Sequence, residues 1–127
     1  MTIPGLNEAY PNLKKFIDVE DGLKRIRNNK KLYTMIMNSF LADTHLGELQ
    51  QQIENGDSEN AAKTAHLIKG LVGNLSLTAA YDMCVSIEAQ LKSGGDASAA
   101  LVEMLEVFDS TIEDINIVLG VLPDLEV

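Results

Sequence analysis

The sequence predicts an all-α fold, an antiparallel four-helix bundle with short N-terminal helices packed across one end. Three observations carry that expectation. Apolar residues recur with a period near 3.6, and no Val- or Ile-rich alternating run bounded by turns is present. Capping residues and helix breakers fall at helix-length intervals, near Pro4-Gly5, Asp18, Asn28-Asn29, Gly56-Asp57, Ser76, Gly94-Gly95 and Gly120. The 127 residues, 46% hydrophobic and 23% charged, are enough for one core and are expected to form a single domain, 1–127.

The elements follow in order. A short helix is expected around Asn7–Ile17 and a second from Asp18 to about Asn28, with Asp18 as N-cap and Asp21 as the carboxylate of a capping box. A long helix is expected over Lys30–Asn55, its apolar face made by Leu32, Ile36, Phe40, Leu46, Leu49 and Ile53. Asp57 caps the next, which runs to about Leu75 with Ala61, Ala65, Ile68, Val72 and Leu75 toward the core. Ser76 is the expected N-cap of a helix over Leu77–Lys92 carrying Ala80, Met83, Cys84, Ile87 and Leu91, and Gly94-Gly95 ends it. The last helix, from Ala97 to Leu119, places Leu101, Leu105, Phe108, Ile112, Ile115 and Leu119 in a heptad stripe, with Asp96 near its cap.

Charge and cysteine content exclude several function classes. The net charge is −9, and the acidity is local: residues 1–92 hold all ten basic residues and eleven acids, while 93–127 hold eight acids and no base. Nucleic acid, which requires clustered cations facing phosphates, is not an expected partner. No apolar run reaches the ~18 residues of a membrane span. The opening MTIPGLNEAYPNLKK does not have the form of a secretory signal, so the cytoplasm is the expected location. The single cysteine, Cys84, allows no internal disulfide and reads as a buried structural thiol. His45 has no ligand-forming neighbours and reads as surface, and no metal site is expected. The basic run Lys24, Arg25, Arg27, Lys30 and Lys31 reads as a solvated helix end, as a neutraliser of the acidic last helix, or as a surface for an acidic partner.

One helix differs from the others. In DSENAAKTAHLIKGLVGNL, His66, Lys69, Gly70 and Gly73 stand at offsets 0, +3, +4 and +7 and share one face. Two glycines inside an exposed helix face destabilise it by about 2 kcal/mol relative to alanine. They make sense where another molecule must approach the backbone closely. A neutral imidazole nitrogen is a nucleophile, and an ammonium one turn on offsets phosphoryl charge, so this face suits holding a phosphoryl group on His66 with Lys69 over the imidazole. Leu67 and Leu71 flank it as an apolar docking patch, with Asn74 at the rim. No phosphate-binding glycine loop is present, so the chain is not expected to act as a kinase.

The stretch Ala65, His66, Leu67, Ile68, Lys69, Gly70 resembles the A-H-x-x-K-G signature of histidine-containing phosphotransfer (HPt) domains. The resemblance extends to the Ile87-Glu88 pair and upstream to Asp18, Gly22, Leu32-Tyr33 and Phe40, covering about residues 16–119. Ser76 departs from the glycine common in the family, which puts partner identity in question. Such a resemblance implies phosphotransfer from a receiver-domain aspartate to His66 and on to another receiver, with Lys69 stabilising the phosphoryl group and Gly70, Gly73, Leu67, Leu71 and Asn74 forming the docking surface. It implies receiver domains of response regulators or hybrid histidine kinases as partners, Mg²⁺ on the receiver and no cofactor on this chain, which is expected to be a monomer. A non-relaying module that docks on a receiver or kinase as inhibitor or scaffold is the alternative. A phosphoacceptor domain belonging to a longer chemotaxis-type kinase is a third reading, less favoured by the initial Met and the Leu122-Pro123 ending.

Overall fold

In a computed structural model of the chain, residues 15–125 are described, and they contain helices and no strand. Among the described residues six α-helices follow one another: α1 Val19–Lys24, α2 Lys30–Ala42, α3 Leu46–Glu54, α4 Ser58–Asn74, α5 Thr78–Lys92 and α6 Ser98–Val121, with a 3₁₀ turn at Leu122–Asp124. Helices α3, α4, α5 and α6 close a ring of neighbours, α3 on α4, α4 on α5, α5 on α6, and α6 back on α3. The α4–α5 interface is the most extensive, while α2 packs on α6 and the 3₁₀ turn, and α1 on α2. The expected helix at Asn7–Ile17 lies mostly outside the described residues.

The start of the chain departs from expectation in two ways. Asp18 does cap α1, its Oδ1 accepting from the Asp21 N–H at 3.1 Å. No capping box forms, because the Asp18 N–H donates to the Ser76 carbonyl and the Asp21 carboxylate turns to Arg25 and Ser76. The helix also stops at Lys24, before a turn in which Arg27 and Asn28 have positive φ.

The long helix expected over Lys30–Asn55 is two helices. Asp43 is extended at φ −152° and His45 is left-handed at φ 64°. Local side chains stabilise the break: Asp43 Oδ1 accepts from the His45 N–H at 3.0 Å, and Thr44 Oγ1 from the Leu46 N–H. Asp and Thr side chains compete with the helix ladder in this way. The buried face of α2 is Tyr33, Met37 and Phe40, one position round from the expected stripe, and Leu32 is exposed. Tyr33 sets this rotation. Its ring lies over Gly22, where a Cβ would come within 2.5 Å of the hydroxyl, and that hydroxyl donates to the Leu75 carbonyl at 3.0 Å.

Three helix ends share one geometry. After α3, α4 and α5 the next-but-one residue is left-handed, and backbone bonds run from Asp57 to Gln52, Leu77 to Val72 and Gly95 to Gln90. These are Schellman ends, where glycine is the usual left-handed residue. Gly56 and Gly94 fill two of them, and Ser76, at φ 57°, fills the third. Ser76 is therefore the residue that closes α4, not the N-cap of α5, whose cap position is Leu77.

The core stripe expected on α4 is fully buried, and Ala80, Cys84, Ile87 and Leu91 meet it from α5. Burial pushes the Cys84 thiol up to about 12, which makes it inert at neutral pH. On α6 the buried seam is Leu101, Met104, Phe108, Thr111, Ile115 and Val118, so Leu105, Ile112 and Leu119 are flanks of the seam and not its centre. Thr111 fits this seam because its hydroxyl donates to the Val107 carbonyl at 2.7 Å. Asp96 accepts from the Ser98 N–H at 2.9 Å at the start of α6.

Candidate functional site

Helix α4 starts at Asp57, whose side chain accepts from the Asn60 N–H, and its buried stripe fixes the direction of its opposite face. His66 stands on that face, its side chain 67% exposed. Across from it, α5 carries Glu88, a buried carboxylate with its side chain only 7% exposed, on the same helix as the core residues Cys84 and Ile87. Glu88 collects three donors. His66 Nδ1 lies 3.1 Å from Oε1, Lys69 Nζ 3.1 Å from Oε2, and Lys92 Nζ 3.1 Å from Oε1.

Burial by itself pushes the Glu88 carboxyl up. Hydrogen bonds from Lys69, Lys92 and His66 outweigh it and hold the group at about 2. A carboxylate ionised at neutral pH only accepts, so the Nδ1 of His66 carries the hydrogen. The lone pair then resides on Nε2, which has no hydrogen-bond partner among the described residues. An imidazole fixed in this tautomer, with one nitrogen anchored and the other open, is arranged as a nucleophile.

The expected cluster is brought together with one difference. Lys69 does not lie free over the ring; its ammonium and His66 meet at a shared carboxylate. His66, Lys69, Gly70, Gly73 and Asn74 line a groove of about 450 Å³, whose far wall includes Arg25, Ser76 and Tyr81. A Cβ at Gly70 would meet nothing within 4 Å, so no packing among the described residues requires glycine there. At Gly73 a Cβ would touch the Tyr81 ring at 3.4 Å. Leu67 is exposed, whereas Leu71 is partly buried against the core.

A second groove, of about 660 Å³, opens on the other side of His66 between Ser58, Lys63, Leu91 and Lys92. His45 sits apart at the α2–α3 break, with its ring nitrogens 3.7 Å from Asp43 and 3.6 Å from Glu48. Glu88 and Lys92 were not among the expected site residues. The available signal was a glutamate within the apolar stripe of α5 with a lysine four residues on, an orientation that favours pairing.

A family model described as Hpt domain matches residues 40–116, more than half of the chain. The chain belongs to the Hpt domain family. Hpt domains have a phosphotransfer role in phosphorelays and work with receiver domains and kinases of two-component systems. The matched span of this Hpt domain includes the whole of α4 and α5, and so His66, Lys69, Glu88 and Lys92. No curated protein and no solved structure matches the chain. No described helix is long and apolar enough to cross a membrane.

Proposed function

We propose that this Hpt domain is a relay intermediate of a multistep two-component phosphorelay, taking a phosphoryl group onto His66 from a receiver-domain aspartate and passing it to a second receiver. The observation that carries this reading is the anchored imidazole: Nδ1 is held by buried Glu88, and Nε2 is unpartnered among the described residues. In the reading, the ring of α3–α6 is an antiparallel four-helix bundle, crossed at one end by the N-terminal helices. It serves as a cytoplasmic monomer.

The Nε2 lone pair attacks phosphorus in line, and the P–O bond to the receiver's aspartate breaks, its electron pair leaving with the carboxylate. The product ring is substituted at Nε2 and still protonated at Nδ1, so it is cationic. Glu88, 3.1 Å away, stabilises that charge as it develops. Lys69 moves from Glu88 to the phosphoryl oxygens. Gly70 and Gly73 admit the partner's surface, and Leu67, the edge of Leu71 and Asn74 complete the contact. Mg²⁺ belongs to the receiver's acidic pocket. Little covalent chemistry is left to this chain beyond positioning and charge placement.

The test is label transfer from a phosphorylated receiver domain to the purified chain and to His66→Gln. Acid-labile label on the wild type and none on the variant is the expected result. Binding to a receiver without label on the wild type would overturn the relay reading and leave a docking module.

A further inference from the structure

Glu88 has more cations than a single ion pair needs. Lys69 reaches it from α4, one turn beyond His66, and Lys92 from α5, one turn beyond Glu88 itself. The two lysines differ in their surroundings. The Lys69 side chain is 25% exposed and lines the smaller groove with His66 and Gly70, the side where the bare backbone admits a partner. Lys92 is 64% exposed and lines the groove on the other side of His66.

Phosphoryl transfer needs Lys69 at the phosphoryl oxygens, but Glu88 holds it in the resting chain. If Lys69 were the only cation there, its departure would leave a buried carboxylate unpaired, which is strongly unfavourable. With Lys92 in place, Glu88 stays neutralised. It then keeps accepting from Nδ1 and faces the imidazolium that forms as Nε2 bonds to phosphorus.

Resting on the relay reading, we infer that Lys92 is a positioning residue for phosphoryl transfer, acting through Glu88: it is the counterion that remains when Lys69 leaves. Lys92 therefore makes no contact with the phosphoryl group. Its removal matters only while residue 88 carries a charge.

Phosphoramidate, a small phosphoryl donor, tests this without a receiver in the readout. Nε2 attacks its phosphorus, the P–N bond breaks, and the nitrogen takes a proton from water and leaves as ammonia. Lys92→Met is expected to slow phosphorylation of His66 about tenfold, and Lys92→Arg to restore it. In a Glu88→Gln background, which keeps an acceptor for Nδ1 without the charge, adding Lys92→Met is expected to change the rate by less than about twofold. An equal loss in both backgrounds would mean direct contact with the phosphoryl group and would overturn the inference, as would no loss in either.

A second readout needs no donor. The carboxyl ¹³C resonance of Glu88 is expected to titrate well below the usual carboxylate range in the wild type, and Lys92→Met should raise that midpoint. An unmoved midpoint overturns the inference whatever the kinetics. A wild-type chain that takes no label from phosphoramidate or receivers, with a midpoint that does move, overturns the relay reading and retains the Lys92–Glu88 pairing.

Discussion

Glu88 and Gly70 show how single positions divide between stability and function. The carboxyl of Glu88 lies at about 2 in the folded chain against an ordinary 4.5. The unfolded chain therefore takes up this proton first on acidification. The stabilisation is fully present above about pH 4.5 and is lost as the pH falls toward 2. Urea titrations across that window should show a steeper loss of stability in the wild type than in Glu88→Gln. Gly70 acts in the opposite sense. Its Cβ position is open, so Gly70→Ala should stabilise α4 by about 1 kcal/mol. The same methyl would stand where the partner's surface approaches, and transfer from a phosphorylated receiver should fall. A variant that gains stability and keeps full transfer would remove the reason given for glycine there.

The closing turn of α4 makes the same point for a helix end. Ser76 adopts a left-handed conformation that disfavours a side chain by about 1–2 kcal/mol. Its hydroxyl donates to Asp21 Oδ2 at 2.6 Å, a bond that draws the Asp21 carboxyl below the usual carboxylate range and ties α1 to the α4–α5 turn. The two effects oppose each other. Ser76→Gly should leave thermal stability within about 1 kcal/mol of wild type, whereas Ser76→Ala, which keeps the strain and loses the bond, should destabilise by about 1–2 kcal/mol. Equal stability of the two variants would exclude this account. The glycine common at this position in the family then has a physical cause, the positive φ of a Schellman end, which an N-cap preference for serine obscures. Periodicity made the site helix and its buried stripe legible, because α4 is long, capped by Asp57 and packed on one side. It could not show the break at Asp43–His45, where two side-chain bonds replace helix bonds, nor the rotation of α2, which Tyr33 sets by lying over Gly22. The role of Glu88 was hidden for a related reason: only Lys92 among its partners shares its helix, and only the fold brings 66 and 69 to 88.

Charge is distributed over the chain in two regions, and their separation has a kinetic consequence. The grooves beside His66 mix signs: Arg25, Lys63, Lys69 and Lys92 stand there with Asp21, Glu59 and Asp82. The acids Glu103, Glu106, Asp109 and Glu113 are exposed on α6, which stands across the helix ring from α4. The core between them includes Phe108 and Met104, both fully buried. Exposed charges interact weakly beyond a Debye length of about 8 Å at physiological salt. A net charge of −9 would otherwise slow approach to an acidic receiver pocket, yet the charge that an approaching receiver meets is the local one, where Arg25, Lys63, Lys69 and Lys92 offset Asp21, Glu59 and Asp82. Replacing Glu103, Glu106 and Asp109 by their amides should therefore change the association rate with a receiver by less than about threefold at physiological ionic strength. Lys63→Glu, one turn before His66, should slow association by about tenfold, and added salt should shrink that difference. Stopped-flow association over a salt series separates the two cases. If the α6 amides accelerated binding as strongly as Lys63→Glu slowed it, the net charge of the chain, and not the field around His66, would govern the encounter.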